Sequence, residues 1–295
     1  MMKKITVFTP TYNRAYILES LYVSLKKQTN QSFVWLIVDD GSTDNTEEIV
    51  RSWRDDGLIE LQYYKQVNAG KMAAHNKGAE LCNTEYFLCV DSDDYLVDNA
   101  VEAILGFIDS IESEEFAGLI AYKGTSSYKP IGTEFPRGVK SSTLSGLYEA
   151  GFKGDTTLVF KTEVIKKYPF PILPNEKFIT EAYIYNQIDL KFKYQLIPQV
   201  LTICEYLSDG LTKNEMKLIF NNPGGWALHC CQNGNLATKI KKQLKSYAWA
   251  VSYKLMKDDK QFKLHPEHLL TYFISYPFGI LLYLRRIVKY KKHLK

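Results

Sequence analysis

Asp91, Ser92, Asp93 and Asp94 stand together directly behind the apolar run that ends at Val90. Carboxylates at alternate positions past a strand offer hard oxygen ligands to Mg²⁺ or Mn²⁺ and leave coordination positions open for phosphate oxygens. Such a set can neutralise a diphosphate. A polar turn accounts for the same residues, since Asp is common in turns and at helix N-caps. Two further clusters occupy the same kind of place: Thr9, Pro10, Thr11, Tyr12, Asn13 and Arg14, and then Asp39, Asp40, Gly41, Ser42, Thr43 and Asp44. In the latter, Thr43 or Asp44 capping a helix with Glu47 reaching back is a competing structural reading.

These clusters need strands to carry them. Residues 5–9 form a short β-rich run, and Ile17, Leu18, Leu21 and Leu25 then recur at helical spacing. Phe33–Asp39 (FVWLIVD) is nearly continuous in apolar residues, the pattern of a strand buried on both faces. Residues 58–64 and 85–90 supply two more strands around a helix over Lys71–Leu81. Strands alternating with helices predict an α/β fold on a mostly parallel sheet with right-handed crossovers, where ligands bind at strand ends. Residues 123–145 are rich in Gly, Ser, Thr and Pro without clear period and read as a long functional loop or lid. Strands follow at Thr156–Lys161, 194–197 and 200–206, with a helix over 180–190. From residue 213 onward the chain reads as mainly helical, which sets a boundary near 211.

Composition narrows the class. With 45% hydrophobic and 24% charged residues in a chain of 295, a folded globular protein is expected. The formal net charge is +4, yet six of the bases lie in residues 285–295, which hold no acid. A near-neutral body excludes a broad nucleic-acid surface. Five cysteines without CxxC spacing indicate neither a disulfide framework nor a zinc site and fit a reducing cytosol. The first ten residues read as a strand rather than a signal peptide.

Taken in order, TPTYNR (9–14), VDDGSTD (38–44), NAGKMAAHNKG (68–78) and DSDD (91–94) resemble the family 2 glycosyltransferases, with the nucleotide-sugar-binding GT-A fold. The likeness continues more weakly to about residue 212. It implies an inverting transferase of the hexosyl type (EC 2.4), working in surface polysaccharide or glycoconjugate synthesis. By that resemblance Asp40 pairs with the nucleotide base, uracil being favoured, and Thr9, Pro10, Tyr12 and Arg14 line the nucleoside pocket. Lys71 approaches the nucleotide, Asp91 with Ser92 holds the ribose side, Asp93 of the DXD motif takes a divalent cation (Mg²⁺ or Mn²⁺), and Asp94 supports the loop. The implied organisation is a GT-A domain over 1–211, with a nucleotide half (1–95) and an acceptor half (96–211). A helical C-terminal region follows over 212–295.

The general base is less legible. Where the family carries Glu followed by Asp, this chain reads Thr180, Glu181, so Glu181 is the first candidate and Glu176 the second. Asp94 of the DSDD turn, Asp155, just before a strand, and Asp209, in a loop over 205–212, are candidates for donor-sugar or acceptor contacts, although all three also suit ordinary turns. The irregular base position keeps open a non-catalytic sugar-nucleotide or glycan-binding protein of the same fold. A dehydrogenase would need GxGxxG after the first strand, and a P-loop enzyme GxxxxGK[ST]; neither is present. A nucleotidylyltransferase would carry a Gly-rich, Arg-containing first loop, which is absent. Residues 269–284 (LLTYFISYPFGILLYL) are apolar but shorter than the ~20 residues of a spanning helix, and basic residues follow. They read as a peripheral segment on an anionic membrane surface, with a core helix bearing a solvated basic end as the alternative. On the membrane reading, the acceptor is a lipid-linked saccharide on the cytoplasmic face.

Overall fold

The structure, a computed structural model, describes residues 3–108, 113–204, 215–257 and 259–293. The chain divides into two compact units, Met1–Phe170 with Ile184–Leu207 and Pro171–Tyr183 with Ser208–Lys295.

In the first unit, β1 (Ile5–Thr11) and β2 (Phe33–Asp39) are buried along their whole length, as expected for central strands covered on both faces. Between them α1 (Ala15–Lys26) buries Leu18, Leu21, Tyr22 and Leu25, the stripe that spacing by three and four produces. α2 (Thr46–Asp56) stops at Gly57, whose φ of 64° suits a residue without a Cβ. β3 (Leu61–Lys65), α3 (Lys71–Leu81) and β4 (Tyr86–Cys89) complete a parallel group in which β1 pairs with β2 and β4, and β2 with β3.

The chain continues through β5 (Asp94–Leu96), α4 (Ala100–Ile108), β6 (Phe116–Ser126), β7 (Lys129–Pro130), β8 (Ser141–Ser142) and α5 (Leu144–Glu149). Then come β9 (Thr156–Lys161), α6 (Thr162–Ile165), α7 (Ala182–Asp189) and β10 (Lys193–Cys204). The sheet order is β3-β2-β1-β4-β9-β6-β10-β5. β9 runs antiparallel to β4 and β6, β10 parallel to β6, and β5 antiparallel to β10. The expected α/β fold with a mostly parallel central sheet is present; β9 and β5 are the reversals along this order, and the short β7 and β8 pair antiparallel with β6 and β10.

Three expectations change. The stretch over 123–145 is not one loop: β6 runs on to Ser126, two short strands follow, and α5 begins at Leu144. Its Gly, Ser and Thr content hid the end of a strand whose run of buried residues, 117–122, lies before the stretch. The two strands expected over 194–197 and 200–206 are one, β10, with register shifts between Ile197 and Thr202. Pro198 in that interval lacks an N–H for the ladder, which breaks the apolar pattern without ending the strand. The helix expected behind a Thr43 or Asp44 cap begins at Thr46, and Glu47 bonds Arg51 and Lys65 rather than reaching back.

The second unit contains α8 (Glu215–Asn221), α9 (Pro223–Leu236), α10 (Ile240–Lys257) and α11 (Leu269–His293). Ala227, Cys231, Tyr247, Ala250, Val251 and Tyr272 form its core. The break at Asn222 follows from Pro223, which suits the first turn of α9 because its missing N–H has no partner to lose there.

Candidate functional site

The first two strand-end clusters are stapled to each other. Asp39, fully buried, accepts Ser42 N at 2.7 Å on Oδ1 and the Tyr63 hydroxyl at 2.6 Å on Oδ2. Burial and the Asp39 charge push the Tyr63 phenol well above its ordinary pKa. Ser42 Oγ accepts Asn13 N at 2.8 Å, and Asn13 Oδ1 accepts Thr43 N at 2.8 Å. Asn13 takes φ of 53°, a left-handed turn that Asn tolerates. Asp44 accepts Ala15 N at 3.1 Å and the Thr46 hydroxyl at 2.6 Å. Burial alone would raise its pKa, but these donors bring it below the usual value. Much of TPTYNR and VDDGSTD is therefore scaffold.

Asp40 is also buried, and its carboxylate organises the loop before α3. Oδ1 accepts Gln66 Nε2 at 2.8 Å and Ala69 N at 2.9 Å, while Oδ2 accepts Gly70 N at 2.7 Å. A carboxylate oxygen has two lone pairs, so Oδ2 retains one for a further donor. Tyr12 is 47% exposed and follows Thr11, whose carbonyl accepts Asp40 N at 2.8 Å. Thr9 and Pro10 are buried, and the Thr9 hydroxyl accepts Trp35 Nε1 at 3.0 Å. Arg14 donates to the Tyr16 hydroxyl at 2.6 Å.

The DSDD turn is braced by two lysines. Lys71, opening α3, lies 2.8 Å from Asp91 Oδ1 and 2.9 Å from Oδ2. Burial would raise the Asp91 carboxyl, yet the ammoniums of Lys71 and then Lys123 hold it well below the usual carboxylate range. Lys123 Nζ lies 2.7 Å from Asp94 Oδ2. Sheet order makes this contact: Asp94 in β5 pairs with Cys204 in β10, and Lys123 in β6 pairs with Thr202 of the same strand. Burial, reinforced by the Asp91 charge, keeps Asp94 above its ordinary pKa against the pull of Lys123. Burial would lower the ammonium of Lys123, but the two acids outweigh it and keep it charged. Ser92 is buried within the turn, and the Asp91 carbonyl accepts Asp94 N at 3.0 Å. Asp93 is half-buried, and its carboxylate has no hydrogen-bond or ion-pair partner among the described residues.

Asp155 is exposed at the start of β9, with its carbonyl accepting Lys123 N at 3.1 Å. Its charge, after burial, raises the Tyr148 hydroxyl. The Cys204 thiol is pushed up by burial, then by Asp94 and Asp155, so these residues share one corner. Lys123, Tyr148 and Cys204 were not selected from the sequence. The only available signal was the solitary charge in the run AGLIAYKGT, easily taken for the start of a loop.

Both candidate bases belong to the second unit. Glu176 is buried; Oε1 accepts Gly224 N at 2.9 Å and Lys257 Nζ at 2.8 Å, and Oε2 accepts Gly225 N at 2.9 Å. Its negative charge sits at the N-terminus of α9, where free N–H groups and the helix dipole favour it. That accounts fully for a buried acid as an anchor. Glu181 is half-buried immediately before α7. Asp209 lies outside the described residues.

Among the described residues no three His, Cys, Asp or Glu side chains cluster as a metal cage. The donor set nevertheless fits a hard divalent cation, since Mg²⁺ is commonly bound by one or two carboxylates together with substrate phosphates. Asp93 is the carboxylate free to do this, and Asp91 is its charged neighbour.

A family model described as Glycosyl transferase family 2 matches residues 6–168. The chain is 26% identical over 179 residues to the GalNAc(5)-diNAcBac-PP-undecaprenol beta-1,3-glucosyltransferase of Campylobacter jejuni, covering 60% of this chain and 56% of that protein. It is 32% identical over 127 residues to the poly(ribitol-phosphate) beta-N-acetylglucosaminyltransferase TarS of Staphylococcus aureus, covering 42% of this chain and 22% of TarS. The first relatives it matches are spanned over only 15% to 43% of their own length. The fold is shared with the crystal structure of S. aureus TarS 1–349 in complex with UDP-GlcNAc, at a TM-score of 0.61 and 17% identity over 92% of this chain and 79% of that one. It is shared too with the mannosyltransferase PcManGT of Pyrobaculum calidifontis in complex with GDP-Man and Mn²⁺, at a TM-score of 0.55 and 16% identity over 95% and 74%.

Proposed function

The chain belongs to glycosyl transferase family 2, and from that membership we propose that it moves a sugar from a nucleotide-diphosphate donor to a saccharide hydroxyl with inversion. UDP-sugar is the favoured donor, supported by the fold shared with TarS, which was crystallised with UDP-GlcNAc. The acceptor is a lipid-linked saccharide, supported by the named substrate of the Campylobacter relative. Residues 1–211 form the catalytic domain and 212–295 a helical region that makes peripheral contact with the cytoplasmic face of a membrane.

The observation that carries this reading is the DSDD turn: two of its acids are neutralised by Lys71 and Lys123, and one, Asp93, is left uncommitted. Asp93, with Asp91 beside it, would hold Mg²⁺ or Mn²⁺, which supplies Lewis-acid stabilisation of the departing diphosphate. The rest is done by the chain. The remaining Oδ2 lone pair of Asp40 takes the imide proton of uracil, and Tyr12 offers its exposed ring to the base. Lys71 and Ser92 flank the ribose and phosphates, while Asp94 and Asp155 meet sugar hydroxyls. Glu181, assigned from its sequence position alone, is the base that accepts the proton of the acceptor hydroxyl as that oxygen bonds the anomeric carbon and the bond from that carbon to the diphosphate oxygen breaks. A positioned base of this kind contributes roughly 10²–10⁴-fold.

The test is donor hydrolysis across a panel of nucleotide sugars without acceptor, comparing the wild type with Asp93→Ala. Hydrolysis of one donor class, lost in the variant, supports the reading. Tight nucleotide binding with no hydrolysis or transfer of any donor would leave a binding protein of the same fold.

A further inference from the structure

α11 has two unlike faces. Tyr272, Ser275 and Gly279 are buried, and Gly279 approaches α10 so closely that an added Cβ would meet Val251 Cβ at 2.6 Å. Arg286 lies 4.8 Å from the ring centroids of both Trp249 and Tyr253. This face belongs to the helical core. The other face exposes Leu270 (76%), Phe273 (65%), Ile274 (50%), Leu281 (63%) and Leu284 (53%). Their spacing of three, one, seven and three places them on one stripe of an α-helix. A contiguous apolar stripe of this size marks an interaction surface.

The surrounding charge identifies what covers it. Residues 239–257 and 269–295 contain no Asp or Glu. Exposed Lys241, Lys242 and Lys245 stand near one end of the stripe, where Thr271 and Gln243 bond across α10 and α11 at 3.3 Å. Exposed Arg285 and Lys289 stand at the other. Residues 208–295 hold sixteen Lys and Arg against five Asp and Glu, while residues 1–207 hold 21 against 28. A second copy seated on this stripe would set like charges against each other, which is unfavourable. A surface of anionic headgroups over hydrocarbon matches both the stripe and its basic ends. Residues 269–284 rise about 24 Å as a helix, short of a hydrocarbon core of ~30 Å. No described helix is long and apolar enough to cross a membrane.

We propose that α11 lies in the plane of an anionic phospholipid surface, with Leu270, Phe273, Ile274, Leu281 and Leu284 in the acyl boundary and Lys241, Lys242, Lys245, Arg285 and Lys289 at the phosphates. This deepens the lipid-linked acceptor reading and rests on it for purpose, though not for the physical contact. The acceptor's lipid would lie in the surface on which the enzyme rests.

The experiment is flotation of the full chain with two vesicle types, phosphatidylcholine alone and phosphatidylcholine mixed with phosphatidylglycerol. Leu270→Glu/Phe273→Glu/Leu281→Glu changes only exposed side chains, and circular dichroism checks the fold. Wild type should bind the anionic vesicles in a salt-sensitive way, and the triple variant should bind more than ~100-fold more weakly. Arg285→Gln/Lys289→Gln should weaken anionic binding while leaving the residual binding to neutral vesicles unchanged. Equal binding by wild type and triple variant would overturn the proposal. So would absence of vesicle binding together with a dimer that the triple variant dissociates, which would make the stripe a contact between copies. Donor hydrolysis measured without lipid separates the two claims: intact hydrolysis with no vesicle binding sinks only the membrane contact, and vesicle binding without hydrolysis of any donor sinks only the transferase reading.

Discussion

Lys123→Met tests the bracing of the DSDD turn, because it keeps the length of the side chain and removes its charge. Lys123 and Asp94 are 20% and 8% exposed in their side chains, and the pair is 2.7 Å long. Removing one partner of a buried pair typically costs about 3–5 kcal/mol, most of it the penalty of leaving the other charge uncompensated. Here that charge is Asp94, with Asp91 adjacent, so the upper part of the range is expected at neutral pH. The loss should depend on pH in a definite direction. Asp94 already has a folded-state pKa above its ordinary value, and losing Lys123 raises it further. A carboxyl with a raised folded pKa stabilises the fold when protonated and loses that contribution as pH rises through the folded value. The deficit of the variant should therefore shrink as pH falls toward the ordinary carboxylate value of ~4. Urea unfolding at two pH values gives both numbers from the midpoint and slope. Lys123→Met/Asp94→Asn should recover most of the loss, since removing both charges removes the imbalance. A deficit below ~1 kcal/mol, the scale of an exposed pair, or one that does not change with pH, would refute the claim that this pair is a buried brace.

Asp93→Ala should abolish transfer and the cation dependence of nucleotide binding, with little change in melting temperature because no described partner is lost; full activity of the variant in chelator would refute the role. Asp40→Ala should weaken UDP binding by about 1–3 kcal/mol in calorimetry, and it should also lower the melting temperature, since Gln66, Ala69 and Gly70 lose their acceptor. Glu181→Gln should cut single-turnover transfer by ~10²-fold or more at nearly unchanged donor affinity. Glu176→Gln should instead lose stability, with turnover per folded molecule close to normal, because its carboxylate anchors α9 and Lys257; the reverse pattern would move the base to Glu176.

The parallel group was legible because its signals are local. FVWLIVD reads as a doubly covered strand and is buried throughout, and the spacing of Leu18, Leu21 and Leu25 reads as the inner face of α1. The polar clusters follow from the same property, since residue types placed directly behind an apolar run stand at a strand end. The helical character after residue 213 was legible too. What a given side chain does at its strand end was not. Asp39 and Asp40 are neighbours of one chemical type, yet one bonds Ser42 and Tyr63 and the other the loop over 66–70. Glu176 looked like a candidate base until the fold brought Lys257 and the first N–H groups of α9 onto it, and Lys123 looked like loop until β10 carried it to Asp94. α11 has one face in the core and one exposed, because only packing against α10 determines which side of an apolar helix is covered. Hydrophobic periodicity depends on near neighbours, whereas the partner of a charge is set by chain segments that meet only when the sheet and the helices close.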